Sequence, residues 1–177
     1  MLLHHDEAMH FIDGYKTVLL EVLKSSGETL SGQITRDLVK ARNYLKEKPQ
    51  LLHEAIQELN AQKNSVDPHI EQALLTMRIG RWVHLRSTKR YALILDESLN
   101  SAYAVRALTT PLNELTGSSS SIFEAAILEY KGEFLCDGLI VGPIQIGPGL
   151  RADINNTYSK IKENGQFYKH CAAKIDM

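Results

Sequence analysis

The chain contains little cysteine, little excess charge and no long apolar run. Its 177 residues include two cysteines, Cys136 and Cys171, which are too few for a secreted disulfide framework. A formal net charge of −1 excludes a generally cationic protein, although one local basic patch stays open. No apolar stretch approaches the roughly 20 residues that a membrane-spanning helix needs. The N-terminus is too polar for a secretory signal. We therefore expect a soluble, cytoplasmic protein with no membrane segment.

The apolar pattern changes at Gly80, and this change predicts the fold class. Upstream, apolar residues recur at helical spacing, which predicts about four amphipathic helices that end at Gly80. Downstream, they form short β-branched and aromatic runs, which predict an antiparallel meander or a small barrel, then a C-terminal helix over 151–163. Because helices and strands are segregated along the chain, we expect an α+β fold. One domain is the simplest organisation at this length, with a helical half over 1–80, a β half over 81–150, and a C-terminal helix and tail over 151–177.

Two dipeptides mark the clearest boundaries. Asp67-Pro68 is typical of a helix N-terminus, with the aspartate as cap and the proline at the first helical position. Lys131-Gly132 predicts a tight turn in the middle of a hairpin over 122–141, since glycine permits the positive φ that such turns require.

A run of histidines and carboxylates near the N-terminus contains candidate metal ligands. On a helix, Asp6 and Glu7 lie four and three residues before His10, and therefore share a face with it. Imidazole and carboxylate groups suit zinc or iron, and His5 belongs to the same run. The spacing differs from His-Glu-x-x-His and no second cluster clearly completes a site. We therefore predict no metal or other cofactor, and keep a solvated polar N-terminus as the main interpretation.

A basic and aromatic segment over 78–91 is the second candidate region. No acidic residue occurs between Glu71 and Asp96. Its candidate binding residues are Arg78, Arg81, Trp82, His84, Arg86, Arg90 and Tyr91. Basic side chains can neutralise phosphates while an aromatic ring stacks on a base, so nucleic-acid binding is one interpretation. In the other interpretation, Trp82 anchors the junction of the two halves and the arginines pair with carboxylates elsewhere.

None of the remaining motifs is specific to a known reaction, and no catalytic residue can be assigned. The glycine-rich stretch 142–149 matches no phosphate-binding fingerprint and reads as turns. The serines over 118–121 lack a nucleophile elbow. Cys136 is expected to be buried, and the adjacent Asp137 would raise the pKa of its thiol, which argues against a cysteine nucleophile.

The sequence therefore favours a non-enzymatic binding or regulatory module whose β half engages a protein partner. Nucleic-acid binding through the segment 78–91 is the first alternative. Metal-dependent hydrolysis by His5, Asp6, Glu7 and His10 is the second. Self-association into a homo-oligomer stays open. A pocket is expected along 77–90, because concave sites favour boundaries between layers.

Overall fold

Four helices precede the first strand, as the apolar spacing predicts. The computed structural model describes residues 2–171, so the end of the predicted C-terminal tail lies outside the described residues. The helices are α1 (His5–Ser25), α2 (Ile34–Glu47), α3 (Gln50–Ala61) and α4 (Pro68–Leu75). Asp67 caps α4 as expected, since its carboxylate accepts a hydrogen bond of 2.8 Å from the backbone N–H of His69.

Strands dominate the rest of the described chain. They are β1 (Arg78–Ser87), β2 (Ala92–Asp96), β3 (Ala102–Arg106), β4 (Ser121–Tyr130), β5 (Glu133–Cys136), β6 (Val141–Gln145) and β7 (Phe167–Tyr168). The short α5 (Leu112–Leu115) lies between β3 and β4, and α6 (Pro148–Glu163) lies between β6 and β7. The predicted α+β class is therefore confirmed. Within residues 2–171, no helix combines the length and the apolar composition needed to cross a bilayer.

Three predicted boundaries are wrong, and one of them is the start of the C-terminal helix, which begins at Pro148 and not at residue 151. Gly80 lies inside β1, where it pairs with Ala125 of β4, and so does not end a helix. The second strand of the predicted hairpin stops at Cys136 because the chain turns at Gly138, whose φ is +74°. The chain then forms β6 in a stretch where the glycines and Pro143 predicted turns.

Five strands close into a barrel. Each strand pairs with the next in the order β1, β2, β3, β5, β4, and β4 returns to β1. The long β1 reaches two neighbours because its residues 78–84 pair with β4 and its residues 82–87 pair with β2. The barrel was one of the two predicted arrangements, but the parallel pairing of β3 with β5 was not predicted.

Apolar side chains fill the barrel and cover two of its outer faces. The interior contains Trp82, Ile94, Tyr103, Phe123 and Phe134. Helices α1 to α4 pack on Ala126, Leu128, Tyr130 and Leu135. Helix α6, with Ile154, Tyr158 and Ile161, packs on Val83, Leu85, Leu93 and Leu95, and Phe167 of β7 joins this cluster. The barrel therefore lies between a helical layer and α6.

Candidate binding surface on the β half

The aromatic members of the predicted binding segment are buried or partly covered. Trp82 is buried in the barrel, where its Nε1–H donates to the backbone oxygen of Ala125 at 3.1 Å. It belongs to the barrel core and does not anchor the junction with the helices. Tyr91 is half-buried, and its ring packs 6.1 Å from that of Phe167. Trp82 is therefore inaccessible in the closed barrel, and Tyr91 is partly covered.

His84 also lies inside the barrel, because alternation along β1 points it to the same side as Trp82. Its Nε2 lies 3.0 Å from the Oγ of Ser87. Burial lowers the pKa of His84 from 6.5 to about 4, and the charge of Arg151 lowers it further, although the backbone at Arg86 opposes both effects. The imidazole is therefore neutral at physiological pH. It is also fully buried, and its Nδ1 has no hydrogen-bond partner among the described residues.

Two arginines of the segment pair with carboxylates, as the alternative interpretation predicts. Arg78 Nη2 lies 2.9 Å from the Oε1 of Glu129. Arg81 Nη1 lies 3.6 Å from the Oε1 of Glu97, and both of these side chains are exposed. Each ion pair offsets the positive charge that a phosphate would need.

The other two arginines have different surroundings. Arg86 donates from Nη1 to the Oδ1 of Asn155 at 3.0 Å, and its Cζ lies 5.2 Å from the ring centroid of Tyr158. Among the described residues, neither Arg86 nor Arg90 has a carboxylate at ion-pair distance. In the basic segment, Arg78 and Arg81 are therefore paired with carboxylates, whereas the charges of Arg86 and Arg90 are not offset by an ion pair among the described residues.

The N-terminal cluster forms contacts between elements. His10 Nε2 lies 3.1 Å from the Oδ2 of Asp67, and Glu7 accepts a hydrogen bond of 2.9 Å from Lys131. His5 and Asp6 are exposed on the first turn of α1. Within residues 2–171, no group of three or more His, Cys, Asp and Glu side chains is arranged to hold a metal ion. The structure thus places Glu7 and His10 in contacts that attach α1 to the β4–β5 turn and to the start of α4.

The predicted junction segment lines two clefts. One, of about 320 Å³, lies between the helical layer and the start of β1 and includes Met77 and Ile79. The other, of about 530 Å³, lies between Arg86 and α6. Only the first cleft lies at the predicted boundary between the helical and β halves, since the second is formed with α6 and includes Arg86 alone from the segment.

Sequence reasoning missed an exposed strand edge. All five residues of β6 are exposed, and its apolar side chains Val141 and Ile144 are 37% and 62% exposed. Leu150, at the start of α6, is 50% exposed. Strand β6 pairs with β4 and with no second strand among the described residues. A weak signal was present in the alternation of Ile144 and Ile146 around Gln145, but the glycines and Pro143 obscured it.

Hydrogen bonding shows which groups the free edge of β6 offers. The backbone N–H of Ile146 donates to the oxygen of Ser120 at 3.2 Å. Since backbone groups alternate in direction along an antiparallel strand, Ile144 also points its N–H and C=O at β4. The outward groups in the regular part of β6 are therefore the N–H and C=O of Gln145, and a register shift against β4 interrupts the alternation at Gly142 and Pro143. Pro143 has no N–H, and this shortens the free edge.

Sequence reasoning also missed a buried polar network between the helical layer and the barrel. Arg42 Nη1 lies 2.9 Å from the Oδ2 of Asp137 and also donates to the backbone oxygen of Leu139. Tyr15 donates its hydroxyl to the same Asp137 oxygen at 3.2 Å. Burial, and then the charge of Asp137, hold the pKa of Tyr15 well above its ordinary value, so the phenol stays a donor. Both charged side chains are completely buried. Because Arg42 belongs to α2 and Asp137 directly follows β5, their ion pair joins the helical layer to the barrel.

The comparisons give no relative from which a function could be inferred. No protein-family model matches the chain, and neither the curated proteins nor the solved structures include one similar enough to report. The candidate surfaces therefore rest on geometry and charge alone.

Proposed function

We propose that this protein is a non-enzymatic binding module that engages a protein partner through β6. The observation that supports the proposal is a strand edge that no second strand pairs with among residues 2–171, together with the exposed side chains of Ile144 and Leu150. An extended peptide segment can add a strand to such an edge, with backbone hydrogen bonds for affinity and side-chain contacts for specificity. The partner segment that fits is extended and apolar at alternate positions.

The charges around β6 favour a protein over a polyanion. Arg81 lies opposite Glu124 in the β1–β4 ladder, and Glu124 lies opposite Val141 in the β4–β6 ladder. Glu97 pairs with Arg81 beyond the other side of β1. Arg81, Glu124 and Val141 thus form a cross-strand row that ends at β6. This row and the adjacent Glu97 carry both signs of charge, as the polar rim of a protein interface does.

Nucleic-acid binding has less support. The ring that would stack on a base, Trp82, is inside the barrel, and Arg78 and Arg81 are paired with carboxylates. In five-stranded Greek-key barrels of the OB type, ligands bind across the second and third strands. Here α6 and Phe167 of β7 pack on Leu93, Leu95 and Ala102, on the outer face of β2 and β3.

A pair of matched substitutions tests the docking surface. Ile144 and Leu30 have the same exposure, 62%, but Leu30 precedes α2 and is remote from β6 in sequence. The partner is first recovered with the tagged wild-type protein from its native cells, then purified, and its Kd is measured. Ile144→Asp should weaken binding by about tenfold or more, as expected for a central apolar contact. Leu30→Asp should leave the Kd nearly unchanged. Equal effects of the two substitutions would reject β6 as the docking surface.

A pair of proline substitutions tests strand addition itself. Gln145→Pro removes the outward N–H of β6, and prolines are tolerated at such edge positions. Ile144→Pro removes an N–H that points at β4, so it should lower the melting temperature. We expect Gln145→Pro to fold with a nearly unchanged melting temperature and to lose partner binding. Wild-type affinity in a folded Gln145→Pro variant would exclude strand addition.

Self-association is separated from partner binding by light scattering over a range of protein concentrations. A monomer at all concentrations agrees with a different protein as the partner. A dimer that Ile144→Asp dissociates would assign the surface to a second copy of this chain and overturn the proposal. We place the module in the cytoplasm, where its two free thiols would stay reduced, and cell fractionation tests this location.

A further inference from the structure

The cleft between β1 and α6 combines cationic groups with amide and hydroxyl groups. It has a volume of about 530 Å³, within the size range of small-molecule sites. Arg86 forms one wall, and Asn155, Asn156, Ser159 and Lys162 of α6 line the other. This cleft is separate from the β6 edge and does not depend on the function proposed for it.

Two contacts orient Arg86 in this cleft. Its Nη1 donates to the Oδ1 of Asn155 at 3.0 Å, and its guanidinium lies over the ring of Tyr158 at 5.2 Å. Asn155 is itself oriented, because its Nδ2 donates to the backbone oxygen of Arg151 at 2.9 Å. A guanidinium held in this way presents its remaining N–H groups in a fixed plane, which suits the oxygens of a phosphate.

The charge of the cleft is incompletely neutralised. Neither Arg86 nor Lys162 has a carboxylate at ion-pair distance among residues 2–171, whereas Arg78, Arg81 and Arg106 each have one. Glu163 also lines the cleft, so the lining carries two cations and one carboxylate. The net positive charge, together with neutral hydrogen-bonding groups, fits a compact anion.

We propose that this cleft binds the phosphate group of a small molecule. Arg86 contacts the phosphate with its planar N–H groups, and Lys162 adds a second positive charge. The side-chain amides of Asn155 and Asn156 add further N–H donors, whereas the Ser159 hydroxyl already donates to the backbone oxygen of Asn155 at 3.1 Å and only borders the cleft. The phosphate can be inorganic or part of a monoester, since both present the same oxygens.

The test is a titration of the full chain followed by NMR of the side-chain amides of Asn155 and Asn156. The probes are inorganic phosphate and glycerol 3-phosphate, each compared with sodium chloride at equal ionic strength. We expect saturable shifts with the phosphates and none with chloride. Tighter binding of glycerol 3-phosphate would identify a monoester as the ligand, and equal binding would identify the bare phosphate.

Three variants connect the binding to the cleft. Arg86→Gln should raise the Kd by about tenfold, as expected for the loss of a charge-assisted contact. Lys162→Gln should raise it several-fold, and this substitution on an exposed helical face keeps the test valid if Arg86→Gln fails to fold. Arg36→Gln, at an exposed position of α2, removes the same charge elsewhere and should leave the Kd unchanged.

Several results would overturn the proposal. These are the absence of saturable shifts, equal effects of Arg36→Gln and Arg86→Gln, and shifts that chloride reproduces. A short oligothymidylate provides the last comparison. If it binds more tightly than both phosphates, with an affinity that falls steeply with salt, the cleft is part of a nucleic-acid interface instead.

Discussion

Arg42 of α2 and Asp137, directly after β5, form an ion pair of 2.9 Å whose two side chains are completely buried. The pair joins the helical layer to the barrel, and it is supported by Tyr15 and by the backbone N–H of Ala126, which donates to Asp137 at 3.1 Å. Removing one partner of such a pair leaves an uncompensated charge in a dry environment, whereas removing both does not.

The ion pair therefore predicts strong coupling between two substitutions. Arg42→Met and Asp137→Asn should each lower the free energy of unfolding by about 3–5 kcal/mol, the usual cost of removing one buried partner. The double variant should lose less than the sum of the two, because it leaves neither completely buried charge without its partner, and Glu124, 3.9 Å from Arg42, is partly exposed. Urea unfolding of the four proteins measures the coupling. Additive losses would mean that the pair does not act as a unit.

His84 predicts a stability that falls at acidic pH. Its folded pKa of about 4 lies below the ordinary value of 6.5, so between these values the unfolded chain binds a proton that the folded protein excludes. Stability is therefore complete above about pH 6.5 and decreases as the pH falls to 4. The difference between the two pKa values corresponds to roughly 3 kcal/mol.

The control for this prediction is His84→Asn, which keeps a polar group but cannot titrate. Urea midpoints of both proteins are compared across this pH range, so that carboxylate titrations shared by both proteins cancel. The gap between wild type and variant should change as the pH falls. A constant gap would mean that His84 titrates alike in the folded and unfolded states.

Gly14 predicts a steric effect where α1 meets α4. A Cβ at this position would lie 2.4 Å from the Cδ1 of Ile70, which is buried. Gly14→Ala should therefore lower stability by about 1–3 kcal/mol, the usual cost of overpacking. In an Ile70→Val background, which lacks that Cδ1, the same substitution should be neutral or stabilising, because alanine favours a helix by roughly 1 kcal/mol over glycine. Thermal unfolding measures both differences, and equal losses in the two backgrounds would contradict the contact.

Cys136 predicts an unreactive thiol. Burial, and then the charge of Asp137, raise the pKa of Cys136 to about 12, so little thiolate exists at pH 8. In a Cys171→Ser variant, Cys136 is the remaining thiol of the chain. We expect its reaction with a disulfide reagent to be slow in buffer and fast in urea, with a rate that follows unfolding. Fast reaction in the folded protein would show an opening near Asp137.

The sequence predicted the local elements because their causes lie within a few residues. Helical spacing identified α1 to α4, and Asp67 marked the start of α4. Lys131-Gly132 forms the predicted turn between β4 and β5, and both residues have positive φ, 48° and 83°. Cys136 was correctly expected to be buried, because it lies in an apolar run.

The sequence could not predict which strand faces are covered. One face of β1 points into the barrel interior, and the other face packs against α6. All four residues from Trp82 to Leu85 are therefore buried. A half-exposed sheet was the natural expectation from alternation, and it placed Trp82 and His84 among the binding residues. The free edge of β6 was hidden for a related reason, since its glycine and proline are typical of turns.

Periodicity and capping, which act over a few residues, thus determined the order and class of the elements of this protein. The closure of β1 onto β4, the parallel pairing of β3 with β5 and the contact of Arg42 with Asp137 were decided by the tertiary structure. These contacts join residues far apart in sequence, and the free energy that selects them comes from burying shared apolar surface, which no single segment contains. The exposed edge of β6 and the cationic cleft beside α6 are what that burial leaves accessible.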